Sequence, residues 1–272
     1  MTYQNNIDPL KLVPYGLLVT TSWLKSKGVG RHTLDNWVKS GKLNSLVKGV
    51  LNRPDSKKIT WQAVICSLQR IGCNLTPGGI IALEFQGFGH YLSLSQNKTI
   101  HLYGNDKLPT WVNKVLPETH FLKHSGQELF NTKDTKGSLY SDADFQSSFI
   151  NAIAWGIDEW TLRVSTAELA FFELLLDVPE HLSFEHADQL MQGLTSLSPR
   201  RLNKLLEFCT NIKVKRLFLW FAEKHKHPWF KKLELERFSM ESGSLGSGKR
   251  VLAKKGKLDN KYLITVPREF NG

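Results

Sequence analysis

Residues 243–250, Gly-Ser-Leu-Gly-Ser-Gly-Lys-Arg, have the spacing of a phosphate-binding loop: Gly243, four residues, then Gly248 and Lys249. In such a loop, backbone N–H groups cradle phosphate oxygens, the lysine neutralises them, and a following Ser or Thr hydroxyl ligates magnesium. Here the hydroxyl position is Arg250. A working loop also needs a buried strand before it and a helix after it, whose N-terminus supplies amides and dipole. Upstream lies Lys-Lys-Leu-Glu-Leu-Glu-Arg (231–237), too polar for a central parallel strand, and downstream the pattern is that of a β-hairpin. The segment therefore reads as a flexible Gly/Ser loop leading into a strand. Lys249 and Arg250, with the glycine amides, retain the capacity to hold a backbone phosphate. A nucleotide-dependent phosphotransferase acting through Lys249 is the enzymatic alternative.

Other residues with chemical capacity give weaker signals. His225 and His227 form an H-x-H pair, but zinc needs further ligands and no neighbouring Cys or Asp has a suitable spacing. They read as surface histidines beside Pro228. Asp142 and Asp144 read as an exposed acidic turn, and His90 and Tyr91 as core. Cys66, Cys73 and Cys209 are few, odd in number and not in a metal spacing, and Cys66 falls on an apolar stripe. No catalytic residue, metal ion or cofactor is expected.

A second group of residues suits recognition rather than catalysis. Around residues 20–53 the order is a short helix capped by Thr20 or Thr21, a turn at Gly28-Val29-Gly30, a second helix from Arg31 to Ser40, and two apolar runs around Lys48-Gly49. In the second helix Leu34, Trp37 and Val38 recur at helical spacing. The opposite face carries His32, Asn36 and Lys39, with Asp35 at its edge. Arg31 and Thr33 occupy the first turn, from which a recognition helix addresses base edges. Arg can grip guanine with two hydrogen bonds and Asn can do so with adenine. Lys42, Lys48 and Arg53 on the hairpin are placed to meet phosphates or a minor groove. This is the order of a winged helix-turn-helix, a unit expected to bind DNA.

Charge distribution agrees. The net charge of +11 divides into +7 over residues 1–58, −7 over 59–197 and +11 over 198–272. Basic blocks are the electrostatic footprint of a nucleic-acid binder. The second block contains Arg200, Arg201, Lys204, Lys213, Lys215 and Arg216, followed by Lys249 and Arg250. Leu202, Leu205, Leu206 and Cys209 form the apolar stripe of one helix there, and Val214, Leu217, Phe218 and Phe221 that of the next. The basic residues largely fall outside the stripes. A solvated face, an RNA- or DNA-binding surface, and a face for an acidic partner all remain open. The N-terminus has neither a basic n-region nor an apolar h-region, and no apolar run approaches a membrane span. A cytoplasmic location without membrane association is expected.

The remaining elements are read from periodicity. Residues 9–18 suggest a helix or two turns. Trp61, Val64, Ile65 and Leu68 mark an amphipathic helix, and a glycine-flanked helix follows Thr76. Tyr-Leu-Ser-Leu-Ser (91–95) and Thr-Ile-His-Leu-Tyr (99–103) alternate as a hairpin would. Helices are predicted at 166–177, 184–193, 199–210 and 213–225, and strands from Leu233 onward.

The run GVGRHTLDNWVKSGKLNSLVKGVLNRP, with TPGGIIALEFQGFGHYL, IHLYGNDKLPTWV, SPRRLNKLLEFCTNIKVKRLFLWFAEKH and GSGKRVLAKKGKLDNKYLITVP, resembles the AbiEi antitoxins of type IV toxin–antitoxin, or abortive-infection, systems. The resemblance spans roughly residues 10–267. It implies an N-terminal winged helix that binds inverted repeats in the operon's own promoter, a C-terminal antitoxin domain, and a nucleotidyltransferase-like AbiEii toxin counteracted without a stable complex. DNA contact is carried onto Arg31, His32, Thr33, Asn36, Lys39, Lys48 and Arg53. The expected fold is α/β in the α+β sense. It has a winged helix-turn-helix at 1–57 and a mixed domain at 58–272, helix-rich over 166–225 and ending in a β-hairpin tail at 248–267. The expected function is an autorepressing, non-enzymatic antitoxin; a ligand-sensing transcription factor is a further alternative.

Overall fold

A computed structural model of the chain describes residues 9–54, 58–88, 99–130, 139–156 and 159–270. After a 3-10 turn at Pro9–Leu12 come β1 (Leu18–Thr20), α1 (Thr21–Ser26), α2 (Arg31–Lys39), β2 (Asn44–Val47) and β3 (Val50–Asn52). Thr20 caps α1 by accepting the Trp23 N–H at 3.2 Å, which satisfies one of the amides a helix start leaves unpaired. Gly49, at φ +83°, closes the β2–β3 hairpin, a conformation that a side chain would resist. β3 lies between β1 and β2, antiparallel to both. Val19, Leu24, Val29, Leu34, Leu43 and Leu51 fill a small core of their own with Val13.

A 3-10 turn at Pro9–Leu12 falls within the stretch 9–18 where a helix or two turns is expected, and the strand β1 that starts at Leu18 is an addition to that reading. Pro14 and Gly16, the latter at φ +75°, break the helix, and the strand that follows is covered on both sides. Val19 enters the small core while Leu17 and Leu18 enter the large one. A doubly covered strand loses its alternation and becomes a plain apolar run. Ser67 then ties it to the next helix by accepting the Leu18 N–H at 2.8 Å.

That helix is α3 (Trp61–Arg70), capped by Thr60. β4 (Thr76–Pro77), α4 (Gly79–Phe85), β5 (Thr99–Tyr103), α5 (Trp111–Val115) and β6 (His120–His124) follow. β5 is central, antiparallel to β4 and parallel to β6. The predicted partner strand 91–95 lies outside the described residues. Next, α6 (Ala143–Phe149) runs into an antiparallel ribbon of β7 (Ile150–Trp155) and β8 (Trp160–Ser165).

The helical part comprises α7 (Ala167–Leu174), α8 (Phe184–Gly193), α9 (Pro199–Phe208) and α10 (Ile212–His225). Thr166, Ser183, Ser198 and Asn211 each accept a backbone N–H from the first turn of the helix they precede. Those caps are why the helix starts were readable in the sequence. α7 is buried on every side, Glu168 and Glu173 included.

The tail departs from expectation. Residues 230–238 form 3-10 turns at Phe230–Lys232 and Leu235–Phe238, not strands. Only β9 (Arg250–Val251), β10 (Lys257–Asp259) and β11 (Ile264–Val266) then pair among the described residues, in the order β10-β11-β9. β11 forms its hairpin with β10, and β9 joins β11 in parallel. Gly256 packs against the strand: a Cβ there would fall 2.3 Å from the Val266 carbonyl oxygen. The chain therefore turns before it pairs. The whole is a mixed α/β fold of small sheets and helices.

Candidate functional site

α2 presents its first turn outward. Arg31, His32, Thr33, Asn36 and Lys39 are exposed, while Leu34, on the opposite side, is 4% exposed in the small core. Trp37 is half-buried as predicted, but Val38 is at the solvent. Arg31 and Asp35 stand 3.9 Å apart and largely hydrated, so this pair leaves the guanidinium available. Lys48 is exposed at the hairpin tip. Arg53 is half-buried: its Nε donates to the Val13 carbonyl and its guanidinium lies 4.7 Å from the centre of the Tyr15 ring, which ties the N-terminal segment to β3.

The second basic block is not one surface. Arg216 is fully buried and Lys215 is 7% exposed; neither can face a macromolecular partner. Helical spacing had put them beside the apolar stripe, but the C-terminal loop packs over that side of α10. Lys213 is half-buried, its Nζ donating to the Leu176 and Val178 carbonyls at 2.7 and 2.8 Å. Arg201 lies 3.7 Å from the buried Glu168 carboxylate. Lys204 is half-buried, and Arg200, Lys249 and Arg250 are exposed.

The loop at 243–250 is tied to α10 and is not shaped as a phosphate cradle. Gly243, Gly246 and Gly248 take φ of +75°, +64° and +77°. In this path the loop turns carbonyl oxygens inward. Arg216 donates from Nε to Leu245 O at 2.9 Å, from Nη1 to Gly248 O at 2.7 Å and Leu263 O at 3.3 Å, and from Nη2 to Gly246 O at 3.2 Å. A phosphate cradle needs the opposite polarity, with N–H groups converging. The segment leads into β9, not into a helix.

The histidines at 225 and 227 are used in packing. His225 Nε2 lies 2.7 Å from Asp188 Oδ1, and His227 Nε2 2.9 Å from the Met191 carbonyl, both on α8. Asp142 is the N-cap of α6, accepting the Phe145 N–H at 2.8 Å. His90 and Tyr91 lie outside the described residues. Cys66 is core as expected, and burial pushes its thiol up to about 12.

Two polar groupings had no sequence signal. Glu173, fully buried on α7, accepts hydrogen bonds from Tyr140 Oη at 2.6 Å, Ser165 Oγ at 2.9 Å and the Gly79 amide at 2.9 Å. Burial raises its carboxyl to about 7 despite those three donors. Nearby, His101 and His124 bring ring nitrogens to 3.0 Å, with Asp177 3.4 Å from His101. Burial lowers the His101 pKa, the Asp177 carboxylate opposes this, and the neighbouring histidines add to it. These residues come from α4, β5, β6, a 3-10 turn at Leu139–Ser141, β8, α7 and the chain just beyond α7, segments far apart in sequence that only the fold assembles.

With this geometry described, comparison with known proteins gives two matches that together cover nearly the whole chain. Residues 8–94 match the N-terminal domain of AbiEi antitoxin transcriptional regulators, and residues 97–267 match the transcriptional regulator AbiEi antitoxin of type IV toxin–antitoxin systems. The chain is thus of the transcriptional-regulator class, and it belongs to the AbiEi antitoxin family. No curated protein matches it. It is similar to the crystal structure of the RV2827C protein from Mycobacterium tuberculosis, at 15% identity and a TM-score of 0.48, over 91% of this chain and 85% of that one. No helix among the described residues is long and apolar enough to cross a membrane.

Proposed function

We propose that this chain is an antitoxin that represses its own operon. Residues 1–57 act as a winged helix-turn-helix on inverted repeats in the promoter, and residues 58–272 act as the antitoxin domain. That domain counteracts a nucleotidyltransferase-type toxin in the cytoplasm without holding it in a stable complex. One observation carries the DNA-binding reading: the β1–α1–α2–β2–β3 order presents the polar first turn of α2 beside a lysine-tipped hairpin. Arg31, His32, Thr33, Asn36 and Lys39 then face the major groove and Lys48 meets the backbone. Of the basic residues singled out in the antitoxin domain, Arg200, Lys249 and Arg250 are exposed and Arg201, Lys204 and Lys213 are half-buried, and these remain available to a partner.

The test is a gel-shift titration on the chain's own upstream DNA, with a scrambled duplex as control, at two salt concentrations. Sequence-dependent shifts support the repressor; equal, salt-abolished binding to both duplexes rejects it. Arg31→Ala and Asn36→Ala should each weaken operator binding by about 1–3 kcal/mol while leaving the scrambled duplex little affected. Unchanged affinity in both variants removes α2 from the base-reading role. Lys48→Ala should instead weaken binding to every sequence and shallow the salt dependence, and an effect confined to the operator would contradict that assignment.

A further inference from the structure

The parallel register of β5 and β6 places Thr99 opposite His120, His101 opposite Leu122 and Tyr103 opposite His124. Side chains alternate along a strand, so His101, His120 and His124 share one face of the sheet. Asp177, just beyond the end of α7, meets that face. We infer that His101, His124 and Asp177 form a binding site for a divalent transition-metal ion.

Two of the three separations fit. One coordinating atom from each of the three residues lies within 4.8 Å of the others. His101 Nδ1 is 3.0 Å from His124 Nε2 and 3.4 Å from Asp177 Oδ2. Four-coordinate zinc, with bonds of about 2.0–2.1 Å, spaces its ligand atoms by roughly 3.3 Å. A proton on His101 Nδ1 shared between His124 and Asp177 is the metal-free arrangement of the same atoms. If His124 donates instead, His101 Nδ1 turns a lone pair toward the Asp177 carboxylate. A cation between the three atoms satisfies all of them at once. Two imidazoles and one carboxylate suit zinc, cobalt or ferrous ion better than magnesium or calcium, which prefer oxygen.

Glu128 Oε2 stands 3.9 Å from His124 Nδ1, the ring nitrogen facing away from the site, an ion-pair separation longer than the hydrogen bond by which a carboxylate orients a metal-binding histidine. The His124 ring is fixed against Tyr103, with centroids 4.6 Å apart. On the other side the group borders a cavity of about 270 Å³ lined in part by His120, His181 and Thr99. A fourth coordination position there is open to water or to a small ligand. The ion would fasten the β5–β6 pair to the end of α7.

The test uses the untagged full chain, stripped with EDTA and dialysed, then titrated with Zn²⁺ by calorimetry and with Co²⁺ by visible absorption. One equivalent should bind, with the intense bands of four-coordinate cobalt. Losing an orienting partner of a ligand typically costs about 10–100-fold in affinity. Asp177→Asn and His101→Gln remove ligands outright, so each should weaken Zn²⁺ binding at least that much. Circular dichroism of the metal-free variants checks that the fold is kept. His225→Gln, altering the other histidine–aspartate pair, should bind like the wild type. Absence of saturable one-equivalent binding overturns the site. So does binding unchanged in both folded ligand variants, or binding lost in His225→Gln alone.

Discussion

Arg216→Met is expected to cost about 3–5 kcal/mol of stability, the penalty typical of removing one partner from a buried charged network. The measurement is urea unfolding of the full chain, with the loss read as a lower transition midpoint at unchanged slope. The side chain is fully buried, and its guanidinium serves four carbonyl oxygens, from Leu245, Gly246, Gly248 and Leu263. Methionine restores much of the volume. Replacing both members of a buried ion pair with apolar groups can be neutral, but here the acceptors belong to the backbone and cannot be removed with the arginine. Leu263 O keeps the Arg250 N–H at 2.9 Å, but the carbonyls of Leu245, Gly246 and Gly248 would lose their arginine donors beside the buried Leu245. Arg216→Lys keeps the charge but offers one nitrogen in place of a planar fork, so it should recover only part of the loss. Residues 241–249 should also become open to limited proteolysis in both variants. An unchanged midpoint in Arg216→Met would mean that the loop hydrates its carbonyls without cost and is not fastened by this residue.

Glu173 should make the protein less stable as pH rises. Its carboxyl sits at about 7 in the fold against 4.5 as the ordinary value. Below pH 4.5 both the folded and unfolded states hold the proton, and the residue contributes no pH dependence. Between about 4.5 and 7 the unfolded chain releases it while the folded chain retains it, so stability falls with each step in pH. Above about 7 both are ionised and the full loss, about 3 kcal/mol, is in place. Glu173→Gln keeps the volume and cannot ionise, but its amide nitrogen cannot accept as both carboxyl oxygens do, which adds a pH-independent cost. Measured against the wild type, its stability should therefore rise by about 3 kcal/mol between pH 4.5 and a pH above 7, on top of that constant offset. Parallel urea-midpoint curves for the two proteins across that range would show that Glu173 ionises in the fold as easily as in water.

The N-terminal unit and the four helices after residue 166 were legible because their signals are local. A polar cap, an apolar stripe at helical spacing and a glycine turn act within a few residues, and Thr20, Gly49, Thr166 and Asn211 do in the structure what their types foretold. β1 was not legible, because its coverage on both faces comes from segments far along the chain. The interior basic residues show the same limit. Periodicity placed Lys215 and Arg216 off the stripe of α10, and so at the surface. It carried no information about the loop that covers them.

By itself the sequence determined the family, the charge division into basic ends and an acidic middle, and the exposed polar turn of α2. Each rests on residue identity or on spacing within one element. Tertiary structure alone decided that the Gly/Ser loop encloses an arginine instead of an anion, and that Glu173 is held among Tyr140, Ser165 and Gly79. It alone brought His101, His124 and Asp177 together. The physical reason is common to all three. Polar groups removed from water must find partners wherever the fold supplies them, and those partners lie between 8 and 94 residues away along the chain.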